Sequence, residues 1–276
     1  MILPASPDGY PIAEVGPWAR DKLTILEQYI KISRHARAKY TRRTEATYVD
    51  LFCGPGLSRI RGTDEYLPGS PVVAFDAAHE SGVPFNRLFI SDSDANNVDA
   101  ARGRLEDKGA IVTAVAKAAE VAIDDVARQL NPHGLHFALL DPFNLFDLPF
   151  VIIEKLLTSF KHIDLMVLLS TGDLQRNFRK DYLSSSNATL DRFAPRWREN
   201  VRTDDADDET VRQRIVDYWF SLLTAQNVPP STKMHRAKNS MNVTMYWLVF
   251  ASRADIANKV WAAAQNYIRQ PTLPGL

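Results

Sequence analysis

The chain has 276 residues, 45% of them hydrophobic, and a single cysteine, Cys53. That length supports a substantial core in one large domain or one domain with attachments, and one cysteine excludes an internal disulfide framework and a cysteine-based zinc site and fits a reducing cytoplasm. Lys plus Arg equals Asp plus Glu at 33 each, so no overall field marks a nucleic-acid or membrane binder, and no apolar run approaches the roughly 18 residues of a membrane span.

Residues 1–11 carry Pro4, Pro7, Asp8 and Pro11 where a signal peptide needs a basic start and an apolar core. From Trp18 to about Lys39, Leu23, Ile25, Leu26, Tyr29, Ile30 and Ile32 recur near the helical period, which predicts one amphipathic helix. Its far end and the following turn bring Lys31, Arg34, His35, Arg37, Lys39, Arg42 and Arg43 with no acid among them. The run reads either as a phosphate-contacting surface or as a solvated helix end.

Thr47, Tyr48, Val49, Leu51 and Phe52 predict a buried strand, because β-branched and aromatic residues suit a packed sheet and the run is too short for a helix. Asp50 interrupts it near the carboxyl end, where a buried carboxylate needs donors or a cation. Gly54-Pro55-Gly56 then permits a sharp turn and close approach of a ligand; an ordinary tight turn is the alternative. Residues 57–68 are too polar and irregular for an element and read as a lid or as a passive surface loop. Ser70 is suited to cap a helix from Pro71 to about Glu80.

Arg87 to Ile90 predicts the second strand, ending in Ser91-Asp92-Ser93-Asp94. Asp92 suits a nucleoside ribose, while one of Asp92 and Asp94 caps the next helix, 95–107. A strand over 110–115 and a helix over 119–130 follow. His136 to Leu140 predicts a fourth strand, which Pro142 ends. The loop Asp141-Pro142-Phe143-Asn144 puts an acid, a ring and an amide together and suits a planar substrate; a turn with Phe143 in the core is the alternative. A helix over 148–160 precedes an apolar strand, 163–170, whose polar continuation through Asn177 can line the same cleft. Residues 182–200 read as irregular, and the acids from Asp204 to Glu209 start a helix ending near Gln226. Residues 232–237 and 243–252 flank a five-residue hairpin loop, and a helix follows over 254–267. Lys233, His235, Arg236 and Lys238 protect an edge strand or meet a polyanion.

Five strands alternating with helices and closed by a hairpin predict a doubly wound, mostly parallel α/β sheet with an antiparallel edge hairpin. Asp50, Asp92 and Asp141 then stand at strand carboxyl ends around one crevice, where such sheets bind ligands. The loop lacks the third glycine of a dinucleotide site, and no phosphate-loop lysine, nucleophile elbow or histidine pair is present.

The stretch Tyr48-Val49-Asp50-Leu51-Phe52-Cys53-Gly54-Pro55-Gly56 resembles the glycine motif of class I S-adenosylmethionine-dependent methyltransferases. Together with Gly69-Ser70-Pro71 and Leu140-Asp141-Pro142-Phe143, it resembles the three-Cys-motif partner (TcmP) proteins, over a span from about residue 18 to Ser170. The resemblance implies an amino-terminal leader and helix in 1–45 and a Rossmann-like methyltransferase domain in 46–276, with insertions at about 57–68 and 175–227. It implies that the Gly54 to Gly56 loop holds the methionine part of S-adenosylmethionine, that Asp50 faces its ammonium and Asp92 the ribose, with Phe52, Cys53 and Ser93 also in the cofactor site. It also implies a neighbouring partner protein bearing three cysteines.

Asp141-Pro142-Phe143-Asn144 resembles the D-P-P-[YF] signature of enzymes that methylate exocyclic amines, with the second proline missing and the aromatic displaced by one position. These four residues are the candidate catalytic set, with no metal. Expected functions are a cytoplasmic methyltransferase acting on nucleic acid or a nucleobase-like acceptor, with Arg34, Arg37, Lys39, Arg42 and Arg43 on phosphates, or a non-catalytic module serving the partner.

Overall fold

A computed structural model of the chain describes residues 6–239 and 241–269. In chain order, β1 (Ala13–Val15) precedes α1 (Ala19–Ile32) and α2 (Arg34–Thr41), and β2 (Ala46–Asp50) leads through the glycine loop to β3 (Leu57–Ile60) and β4 (Tyr66–Pro68). Then α3 (Ser70–Glu80), β5 (Arg87–Asp92), α4 (Ala95–Glu106), β6 (Val112–Ala116), α5 (Ala119–Gln129), β7 (Leu135–Leu140), α6 (Phe150–Ser159) and β8 (His162–Leu169) alternate. Helices α7 (Thr171–Asn177), α8 (Thr189–Phe193), α9 (Trp197–Asn200) and α10 (Asp208–Ala225) follow, with a π-helical turn at Phe178–Tyr182, before β9 (His235–Lys238), β10 (Thr244–Ser252) and α11 (Asp255–Arg269).

Seven strands form one sheet in the order β6-β5-β2-β7-β8-β10-β9. The first five are parallel, and β10 is antiparallel to both β8 and β9. All five residues of β2 are buried, as expected of a central strand covered on both faces. Tyr48 stacks on Phe137 of the neighbouring β7, with ring centroids 6.0 Å apart. One apolar layer joins the sheet to α1, α3, α4 and α11; the other joins it to α5, α6 and the helices after β8. No described helix is long and apolar enough to cross a membrane.

Three expectations change. The single helix over 18–39 is two helices broken at Ser33, whose hydroxyl bonds the Ile30 carbonyl at 3.2 Å while Arg37 takes the same carbonyl at 2.9 Å. Residues 57–68 are not an irregular loop: β3 pairs with β4 and, in parallel, with β1 of the leader, and Arg59 of β3 pairs with Glu14 of β1 at 2.8 Å. That small sheet lacks an alternating apolar pattern because its partner strand comes from a distant segment. Residues 182–200 include two short helices, held by Phe193 stacked on Trp219 at 5.4 Å and by Trp197 Nε1 donating to Asp191 at 2.9 Å. The edge hairpin is present as expected: β10 lies inside β9, and β9, with His235, Arg236 and Lys238, is the edge strand; Ser240 of its loop falls outside the described residues.

The basic run also divides. Lys31 pairs with Glu27 and Glu80, and Arg37 is only 2% exposed. Arg37 donates to the carbonyls of Val83 (2.7 Å) and Ile30 and to the Ser81 hydroxyl (2.8 Å), so it joins α2 to the end of α3 and is not free for phosphate. Burial draws its guanidinium down to about 10. Arg34, His35, Lys39, Arg42 and Arg43 are exposed, at the end of the sheet where β2 begins. Replacing Arg37 by Ala removes three hydrogen bonds made by a buried guanidinium, and urea denaturation is expected to show a loss of about 3 kcal/mol of stability.

Candidate functional site

The site is built where the parallel strands end. Asp50 has no exposed surface. One carboxylate oxygen accepts from the Tyr48 hydroxyl (2.9 Å) and the Ser70 hydroxyl (2.6 Å), and the other from the Phe52 amide (3.1 Å). Burial raises its carboxyl to about 6 against the opposing pull of these three donors. Asp50 therefore stands behind the glycine loop and shapes it; neither oxygen reaches the cleft, so the ammonium contact implied by the resemblance is not formed by this residue. Ser70, expected to cap α3, lies within the helix instead, because its hydroxyl is taken by Asp50, and Gly69 occupies the cap position.

The loop itself is held by backbone groups. Cys53 N donates to Ser91 O at 2.9 Å, Gly54 N to Asp92 Oδ2 at 3.0 Å, and Gly69 N to Gly56 O at 2.7 Å. Gly56 has φ +81°, and a Cβ on Gly69 would lie 2.7 Å from the Gly56 Cα, so the loop and the start of α3 touch backbone to backbone. Arg104 of α4, 8% exposed, donates to the carbonyls of Pro55 and Pro11 and forms two bonds to Asp8 at 2.7 Å, clamping the leader onto the loop. The guanidinium holds the Asp8 carboxyl well below the usual range. Cys53 is buried, and burial pushes its thiol up, which leaves it an unreactive packing residue.

A cleft of about 1070 Å³ opens over this loop. Phe52 to Gly56, Asp92 and Ser93 line one side, with Asn97 and 118–120 beyond them. Asp92 Oδ1 also accepts from Asp94 N at 3.0 Å and from Asn97 Nδ2 at 3.3 Å, while Asp94 accepts from Asn96 N and is the residue that caps α4.

The other side carries the loop after β7. Asp141 pairs with Lys22 of α1, with side chains 20% and 14% exposed. Pro142 is buried, and Asn144 accepts from Asp147 N at 3.1 Å, which occupies its amide oxygen within the turn. Phe143 is 93% exposed, so the alternative that places it in the core fails. Phe146 is half-exposed beneath the Arg192 guanidinium, 4.6 Å from its ring centroid. Asp173 anchors this loop: it accepts from Leu145 N (3.1 Å), the Tyr182 hydroxyl (2.6 Å) and Asn177 Nδ2 (2.7 Å). Among the charged lining residues, six carboxylates, including Asp92, Asp141 and Asp173, face four cations: Lys22, Arg61, Arg176 and Arg192. The cleft is thus open but not basic.

Asp92 and the Asp141 loop share the cleft as expected, whereas the exposed cations of α2 lie at the opposite end of the sheet. Sequence reasoning missed Lys22 and Arg104, whose partners are remote. Asp173 falls inside the polar stretch 170–177 expected near the cleft.

No protein-family model matches the sequence, and no curated protein matches it significantly. Among solved structures, the chain is similar to protein LPL1258 of Legionella pneumophila, with 9% identity, 89% of this chain and 91% of that chain covered, and a TM-score of 0.51. It is also similar to an O-methyltransferase from Bacillus cereus in complex with S-adenosylhomocysteine (11%, 89% and 85%, 0.49) and to a putative O-methyltransferase from Klebsiella pneumoniae (11%, 92% and 93%, 0.48). The fold is a Rossmann-like, doubly wound and mostly parallel α/β sheet. At these identities the likeness concerns the fold, not individual residues.

Within this fold the buried Asp50 gives a pH signature. Its folded value lies above its unfolded value of 3.8, so it adds no penalty at low pH and weakens folding as pH rises to about 6. Relative to the parent, Asp50→Asn is expected to gain about 3 kcal/mol in unfolding free energy between pH 4 and 7, measured by denaturant titration at each pH.

Proposed function

We propose that this chain is an S-adenosylmethionine-dependent methyltransferase whose acceptor is a nucleobase or a similar planar group, presented by nucleic acid. The observation that carries this reading is that the glycine loop with Asp92 and the Asp141-Pro142-Phe143 loop share one cleft, with a nearly bare aromatic ring at its acceptor side. An exposed ring over an open cleft suits an acceptor delivered from outside, and a base within a duplex would first be flipped out.

The residues fit the cofactor. The loop approaches by backbone alone at Gly54, where a Cβ would meet nothing within 4 Å, leaving space for a ligand. Asp92 offers a carboxylate for ribose hydroxyls, and the excess of lining carboxylates suits a ligand with a sulfonium and an ammonium. Bound there, S-adenosylmethionine supplies an activated methyl group. The chain's own task is then alignment: Phe143 stacks the acceptor plane, Asp141 holds the acceptor group, and Asp173 keeps their loop in place. Pro142 stiffens the loop and Asn144 closes its turn.

Contact with nucleic-acid phosphates through Arg34, Lys39, Arg42 and Arg43 belongs to this proposal as a remote anchor, without Arg37. The resemblance to three-Cys-motif partner proteins adds a three-cysteine protein as the functional partner. A second reading, a non-catalytic module for that partner, draws support from the Lys22–Asp141 pair, which occupies one oxygen of the proposed acceptor-holding acid.

Calorimetry is expected to show S-adenosylmethionine binding to the parent and about tenfold weaker binding to Asp92→Ala, through loss of charged hydrogen bonds; no binding by the parent removes the proposal. Transfer of labelled methyl to nucleic acid should fall by at least about tenfold in both Asp141→Ala and Phe143→Ala. Phe143→Ala should leave thermal stability unchanged, because its ring buries almost no surface. Cofactor binding without any methyl transfer would support the module.

A further inference from the structure

Resting on the nucleic-acid reading above, we infer that Phe146, Arg192 and Arg176 form a subsite for the nucleotide next to the acceptor, and that a single strand therefore presents the acceptor. Phe143 and Phe146 lie three residues apart on the loop after β7, so their Cα atoms stand within about 11 Å of each other. Leu145 between them is fully buried, and Asp173 accepts from its amide at 3.1 Å, so the loop is pinned at its middle with a ring on either side. Both rings line the cleft, at 93% and 48% exposure. Phe146 is also held in place. The Arg192 guanidinium packs across one face of its ring, 4.6 Å from the centroid, and Glu120 of α5 accepts from that guanidinium at 2.7 Å. One planar acceptor occupies one ring, so a second, fixed ring beside it is a platform for a neighbouring base.

Arg176 supplies the charge. Its side chain is 63% exposed, and its nearest carboxylate, Asp173, lies 3.9 Å away with both oxygens already taken by Leu145 N, the Tyr182 hydroxyl and Asn177 Nδ2. Among the described residues the Arg176 guanidinium makes no hydrogen bond, so its fork is open at the cleft to the phosphate that links two nucleotides. Two rings and one open guanidinium match a short run of unpaired bases. They do not match a duplex, whose bases cover one another's faces and whose extruded base needs a snug enclosing pocket; Phe143 instead stands almost bare at the opening. Carboxylates also outnumber cations along the cleft, which disfavours the denser phosphates of two strands.

The test uses the full chain with S-adenosylhomocysteine present and short fluorescein-labelled strands of mixed sequence, DNA and RNA, free or annealed to their complements, with binding read by anisotropy. The single strand should bind at least about tenfold more tightly than the duplex. Phe146→Ala should weaken single-strand binding by about tenfold, through loss of one stacked base, while Phe146→Tyr keeps the platform and the parent affinity. Arg176→Gln should weaken it by about tenfold and lower the slope of log affinity against log salt by about 0.7, the signature of one lost phosphate contact on a single strand. Cofactor affinity by calorimetry should be unchanged in Arg176→Gln. Duplex binding as tight as single-strand binding, or single-strand affinity unchanged in Phe146→Ala, would overturn the inference alone. A parent that binds cofactor but neither form of nucleic acid overturns the nucleic-acid reading with it.

Discussion

The buried carboxylate of Asp50 is the constraint on which the site depends. A carboxylate with no solvent contact is tolerated only where donors converge on it. Its three donors come from β2 itself, from the first residue of the glycine loop and from the first residue of α3. Strand, loop and helix must therefore meet at one point for the carboxylate to be satisfied. The direct contact of Gly56 with Gly69 follows from that convergence, and it leaves the loop's outer surface, with Asp92, turned toward the cleft.

Two cations from distant parts of the chain then organise the halves of the cleft. Arg104 ties the glycine loop to the leader through Pro55, Pro11 and Asp8, and β1 continues from that leader into the small sheet with β3 and β4. Lys22 meets Asp141 on the side of the cleft that carries the loop after β7. In each case the cation pairs with a carboxylate from a distant segment, Asp8 or Asp141, which limits the cost of desolvation. Asp173 acts in the same way through neutral donors, holding the loop that displays Phe143 from below.

Much of this architecture was legible because it rests on local chemistry. Short β-branched and aromatic runs marked the parallel strands, Pro142 ended β7, and Asp94 was one of two candidates for the α4 cap. What was not legible depended on partners far along the chain. The polar segment 57–68 forms strands only because residues 13–15 lie beside it. Ser70 looked like a cap, since nothing nearby shows that Asp50 takes its hydroxyl. Arg37 stood in a basic run like its neighbours, yet its position on the inner face of α2 buries it against α3, while Arg34, Lys39, Arg42 and Arg43 stay in water.

By itself, the sequence determined the doubly wound sheet, the glycine loop and the placing of acids at the ends of successive strands, because strand propensity, turn residues and strand breakers act over a few positions. Only the tertiary structure decided what each acid does. Asp50 is enclosed, Asp92 is open to the cleft, and Asp141 shares a lysine 119 residues away. Exposure and ion pairing are set by which surfaces pack together, and that packing is a property of the whole fold.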